Sequence, residues 1–149
     1  MAIDVKSDWT KEVVHLRPRK VEIAKQDLEA LFGVNEVTAG SRGLSMLVTM
    51  LAPGKCSNAH YHIDSETSIY GVSGHARMFY GDDLEHVHDI GPGDFVYIPP
   101  FCPHKTYNLS REERAVFVTA RTDPFEQERV VVLPEVDHGQ CESRVEYID

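Results

Sequence analysis

Glycine, proline and aspartate cut this chain into short apolar-rich segments at nearly regular intervals, and that punctuation limits the folds open to it. Residues 43–51 read as a buried strand that ends at Pro53-Gly54. Residues 68–72 turn at Ser73-Gly74, return as residues 76–80, and stop at Gly81-Asp82-Asp83. Residues 85–90 form a further strand pattern, residues 113–121 a long late one closed by Asp123-Pro124, and residues 130–133 a last strand or an extended segment on the outside. Short strands separated by turn residues, with no internal repeat, predict an all-β barrel or jelly roll.

Within that pattern residues 54–66 carry His60 and His62. Alternate residues of a strand lie on one face about 6.6 Å apart, so both imidazoles can turn onto one ion. Imidazole and carboxylate suit first-row divalent metals such as iron, manganese, nickel, copper or zinc. Taken alone, the pair equally describes two ordinary strand histidines. Residues 93–108 add a buried-strand pattern, a turn stiffened by Pro99, Pro100 and Pro103, and a third histidine, His104, entering the next strand.

Together these residues resemble the cupin superfamily, whose first motif reads G-x5-H-x-H-x3-4-E-x6-G and whose second reads G-x5-P-x-G-x2-H-x3-N. Gly54, His60 and His62 fall at the first spacing, and Gly93, Pro99, His104 and Asn108 at the second. The resemblance implies a double-stranded β-helix in a single domain, residues 1–149. Its core barrel is expected over residues 40–133, with an N-terminal arm, one short N-terminal helix and a C-terminal tail. It also implies a divalent metal on His60, His62, His104 and Glu66, with Asn108 stabilising a turn.

The match departs from the family in two places. Phe101 replaces the glycine of the second motif, which predicts a narrowed or capped pocket mouth. Glu66 follows His62 at an allowed distance, yet counting back from Gly74 puts Thr67 at the ligand position. A one-residue slip in a strand reverses the face of a side chain, and a bulge near residues 65–68 would restore it. A four-ligand site with Glu66 and a three-histidine site with Glu66 behind it both stay open.

The resemblance points first to a dioxygenase or related oxygenase using iron, with manganese, nickel, zinc or copper as the other choices. A non-redox isomerase, decarboxylase or hydrolase is the alternative, and a small-ligand binding or sensing protein is the alternative from another class. Around the metal, Tyr97 and Tyr107 are the candidate proton donors, set against a packing role for each. Phe101, Cys102 and Arg121 are the candidate substrate pocket. Arg42, Arg77 and Arg121 all suit a carboxylate or phosphate, because guanidinium pairs with such groups in a fork, and Arg121 stands out by lying within a hydrophobic run.

Charge and composition bound the rest. A formal net charge of −9, from 15 basic and 24 acidic residues, leaves no basic cluster for phosphates and excludes a nucleic-acid partner. No apolar run approaches the ~18 residues of a membrane span, and the N-terminus is too polar for a signal peptide. Cys56, Cys102 and Cys141 show no disulfide-framework spacing, which fits a reducing cytoplasm. The first eleven residues read as an arm, residues 13–16 as a short strand, and residues 20–32 as the one helix, stopped by Gly33. Residues 138–149 read as a tail or subunit-contacting extension, and a small-molecule substrate and a homodimer are expected. The second His-x-His, His86 and His88, has no carboxylate at ligand spacing and reads as a polar strand face; His15, His75 and His138 have no partner legible in sequence.

Overall fold

Alternation of apolar and polar side chains builds the fold strand by strand. In the computed structural model, which describes residue 9 and residues 12–137 and 139–149, strand β3 (Ser45–Leu51) buries every second residue. Strand β10 (Ala115–Arg121) does the same with Ala115, Phe117, Thr119 and Arg121. The other strands are β1 (Glu22–Ile23), β2 (Glu29–Val34), β4 (His60–His62), β5 (Thr67–Ser73), β6 (Ala76–Tyr80), β7 (His86–Ile90), β8 (Phe95–Ile98), β9 (His104–Asn108) and β11 (Val130–Val132). They form a six-stranded sheet, β1-β2-β3-β10-β5-β8, and a five-stranded sheet, β11-β4-β9-β6-β7, with antiparallel pairing throughout. The two inner faces meet in a core of Leu51, Ala76, Met78, Ile90, Ile98, Ala115 and Phe117. This is the jelly-roll arrangement the turn spacing predicts.

The predicted helix over residues 20–32 is not formed. Those residues make β1, a turn and β2, with Ala24 N donating to Leu28 O at 2.9 Å and Asp27 at a left-handed φ of 59°. Leu28, Ala30 and Phe32 fit a two-residue period as well as a helical one. Pairing of β2 with β3 along Glu29–Val34 then decides between them. Among the described residues the one α-helix is the single turn α1 (Glu36–Ala39), started by an Asn35–Thr38 capping box and stopped by Gly40 at φ 67°. The strand expected at residues 13–16 is also absent: that stretch has no sheet partner and Val13 is 95% exposed. Of the proposed arm, only Trp9 belongs to the described residues, with the Arg42 guanidinium 4.4 Å from its ring centroid.

Residues 139–149 fold back on their own chain and cover the outer face of the five-stranded sheet. Cys141 is buried there with Ala59, Phe79, Leu84 and Tyr107, and Leu133, Val136 and Val145 pack against them. Arg144 ties the cover down, donating to Leu84 O at 3.0 Å with its guanidinium over Phe79. Among the described residues no helix is long and apolar enough to cross a membrane.

Asn108 closes the loops at one end of the barrel. It is fully buried; its Nδ2 donates to Leu51 O, Ala52 O and Glu113 O, and its Oδ1 accepts from Ser110 N at 2.9 Å. Asn108→Ala strips several buried carbonyls of their donor. It is expected to lower the unfolding free energy by about 2–4 kcal/mol, seen as a lower urea midpoint at unchanged slope.

Candidate metal centre

Strand β4 is three residues long, and its two ends, His60 and His62, point inward while Tyr61 lies partly exposed between them. On the neighbouring strand the Cα partner of His60 is His104, the first residue of β9. Three imidazoles therefore meet in the barrel interior, with ring centroids 4.2 Å (His60–His104), 5.1 Å (His60–His62) and 5.7 Å (His62–His104) apart. One ligand atom from each lies within 4.8 Å of the others, and the three residues are 3–4% exposed.

The hydrogen bonds around the rings aim their lone pairs. His60 Nδ1 lies 2.8 Å from Asn58 O, and His104 Nδ1 lies 2.9 Å from Cys102 O. A carbonyl accepts only, so each Nδ1 carries the proton and each Nε2 is left as the basic atom. His62 has no hydrogen-bond partner on either nitrogen although both are buried. Unpartnered buried nitrogens are costly, and an ion shared by the three rings would take up one of the two. The donor set fits a divalent metal: three basic nitrogens in reach of one point, two held in one tautomer from behind.

Burial also keeps the rings uncharged. It holds His104 down to about 4, and it pushes His62 far below the ordinary histidine value, helped by the positive Arg121. His60 is lowered by burial and then by His104. Neutral imidazole is the form that binds a metal.

The cavity beside the rings has a volume of about 50 Å³. Leu51, Met78, Ile90, Ile98 and Phe117 form its apolar wall, and Thr49, Thr106, Thr119, Thr67 and Arg121 are on its polar side with the histidines. Arg121 is 5% exposed and its Nε donates to Thr67 Oγ1 at 3.0 Å. Gln26, on the β1–β2 turn, also lines the cavity. The helical interpretation of residues 20–32 hid Gln26, and nothing in its local sequence marks it.

The remaining candidates lie elsewhere. Glu66 sits in the turn before β5, its N–H donating to Thr122 Oγ1 at 2.9 Å, and its exposed carboxylate accepts from Tyr97 Oη at 2.8 Å. The structure does not bring it to the imidazoles, and the inward position is Thr67, the residue reached by counting back from Gly74. Tyr97 is 60% exposed, and its bond to Glu66 raises its pKa. Tyr107 is buried on the opposite face of β9, against Phe79 and beneath the C-terminal cover, where burial pushes its phenol up to about 12. Neither tyrosine lines the cavity.

Phe101 is 52% exposed against Tyr61 and keeps a left-handed φ of 60°, the conformation for which the motif's glycine is suited. Cys102 packs on the inner core, where burial raises its thiol pKa and makes it a poor nucleophile. Arg77 is bidentate to Asp89 on the outer face, which leaves Arg121 as the arginine of the three that lines the cavity. His86, His88, His15 and His75 are exposed and outside the cluster, and His138 lies outside the described residues.

Two antiparallel sheets with three imidazoles converging between them define a double-stranded β-helix protein of the metal-binding kind. A cupin-domain family model matches residues 47–120, and the chain belongs to the cupin superfamily. No curated protein sequence matches it significantly. Solved structures with the same fold include oxalate decarboxylase from Lactobacillus farciminis in complex with formate. That match has 20% identity and a TM-score of 0.63, over 80% of this chain and 34% of that one. The oxalate decarboxylase of Bacillus subtilis at pH 4.6 matches with 24% identity and a TM-score of 0.64, over 76% of this chain and 30% of that one. A conserved double-stranded β-helix protein of Klebsiella pneumoniae matches with 18% identity and a TM-score of 0.59, over 75% of this chain and 89% of that one. The chain thus spans about a third of the length of the decarboxylase chains it matches.

Two outcomes follow for the site. His62→Ala and His104→Ala are expected to cost more metal affinity than the roughly 10–100-fold lost with an outer-shell partner, whereas Glu66→Ala leaves affinity unchanged; plasma mass spectrometry after gel filtration reads both. In metal-free protein the lowered histidine pKa values make the unfolded chain the better proton acceptor at mildly acidic pH. Stability is therefore full above the unfolded value of 6.5 and falls as pH drops toward the His104 value of about 4. Urea midpoints measured across that window check the sign.

Proposed function

We propose that this chain is a metal-dependent enzyme acting on a small organic anion, with an oxygenase using iron as the first reaction class. The observation that carries the proposal is the set of three neutral, buried imidazoles with both His62 nitrogens unpartnered. Because the ligands bring no charge, the whole +2 of a divalent ion is left for other groups to balance, and in an apolar-walled cavity that favours an anionic ligand.

His60, His62 and His104 would hold the metal, with the tautomers of His60 and His104 fixed by Asn58 O and Cys102 O. When bound, such an ion supplies Lewis acidity toward a carbonyl or enolate and, if it is iron, electron exchange with dioxygen. Arg121, braced by Thr67, orients a substrate carboxylate from the same wall. Leu51, Met78, Ile90, Ile98 and Phe117 limit water around the reacting groups. Phe101, exposed beside the motif turn, and the part-buried Cys102 belong to the rim in this proposal, with Tyr97 and Tyr107 as packing residues and Glu66 outside a three-histidine site.

A non-redox decarboxylase, isomerase or hydrolase of a small acid is the second reading, favoured by the same buried arginine, which serves a carboxylate substrate in either chemistry. The proposal includes a homodimer, supported by Met46, Tyr70, Val72, Phe95 and Tyr97 exposed on the six-stranded sheet. It also includes a reducing, cytoplasmic setting, supported by three free cysteines.

The deciding experiment is metal analysis of untagged protein, with dioxygen uptake followed as small acids, phenols and diketones are added. Iron near one per chain with substrate-dependent uptake is the expected result. Zinc, nickel or manganese with product formed and no uptake moves the function to non-redox chemistry. A ligand bound without turnover makes the chain a binding protein, and absence of metal overturns the proposal.

A further inference from the structure

Gln26 is a cavity residue that the metal centre and its outlined chemistry leave unused. It sits on the β1–β2 turn, which is locked to the approach of β4 because Gln26 O accepts from Asn58 N at 2.7 Å, two residues before His60. The residue is 2% exposed and lines the cavity, and its Oε1 is buried with no hydrogen-bond partner. An amide oxygen in that position costs stability, and a bound group that donates to it removes the cost.

Three features of one small space then describe a ligand. The metal site, held by neutral ligands only, calls for an anion such as a carboxylate, Gln26 Oε1 calls for a hydrogen-bond donor, and about 50 Å³ holds only a few heavy atoms. Ammonium is a poor donor here, since its charge would face a divalent ion and a guanidinium. A hydroxyl donates without charge. We infer that the site takes a small hydroxycarboxylate whose hydroxyl donates to Gln26 Oε1, making Gln26 its specificity-determining residue. This inference rests on the metal-centre reading of His60, His62 and His104.

The test uses the 149-residue chain loaded with cobalt(II) and three probes, glycolate, acetate and glycine, with binding read by calorimetry and by the cobalt absorption spectrum. Glycolate is expected to bind tightest, and Gln26→Leu should cut the ratio of glycolate to acetate affinity by about tenfold while leaving acetate nearly unchanged. Gln26→Glu keeps an acceptor, so it should retain the hydroxyl preference while weakening both anions, and it serves if the leucine variant fails to fold. An unchanged glycolate-to-acetate ratio in Gln26→Leu overturns the inference and leaves the metal centre intact, as does loss of the ratio in Gln26→Glu. Absence of a cobalt spectrum in the unsubstituted protein removes the metal centre and this inference together.

Discussion

The antiparallel contact between β4 and β9 is the constraint on which the interior depends. It is a single Cα pair, His60 with His104, at the join where a three-residue strand meets the first residue of another. Because strand side chains alternate, that one register fixes the facing of three rings at once: His60 and His104 across the pair, and His62 two residues on. Flanking bonds hold the register. Ser57 N donates to Thr106 O, Asn108 N to Lys55 O, and Phe101 N to His62 O. β11 pairs along the other edge of β4, so the short strand is clamped from both sides.

Desolvation then decides the chemistry of what the register brings together. Three imidazoles at 3–4% exposure beside Arg121 are poor places for a proton, and the two backbone carbonyls behind His60 and His104 choose which nitrogen stays basic. The interior keeps hydrogen-bonding capacity for what enters it, since His62 and Gln26 both bury polar atoms that no protein group partners. Asn108, also fully buried, satisfies four groups at the far side of the same strand. One end of β9 is thus built for stability, and the other leaves hydrogen-bonding capacity unspent.

Much of this was legible in the chain. The Gly, Pro and Asp punctuation marks the β-strands because those residues end strands for local reasons, and His60, His62 and His104 stand at spacings that a strand period and a turn convert directly into facing. Two parts were not legible, for different reasons. Residues 20–32 carry apolar positions compatible with both periods, and only pairing with β3, a contact distant in sequence, selects strand. Glu66 and Thr67 differ by one position, and a turn with Asp64 at φ 52° decides which of them enters the barrel. Gln26 combines both difficulties, a residue of no motif carried into the cavity by a hairpin whose existence is tertiary.

The replacement of a carboxylate by Thr67 changes the electrostatics of the interior more than its shape. A glutamate there would cancel one unit of an ion's charge and pair with Arg121. Threonine sets an uncharged acceptor, its Oγ1, 3.0 Å from Arg121 Nε. The field of a divalent ion would then extend into the cavity uncompensated by its protein ligands, where apolar walls screen it weakly. Under the proposed function, such a site would select its occupant by charge first and by hydrogen-bonding pattern second, because the electrostatic term acts at longer range than a contact with Gln26. Size completes the selection, since Phe117, Met78 and Ile98 close the cavity around whatever the charge has drawn in.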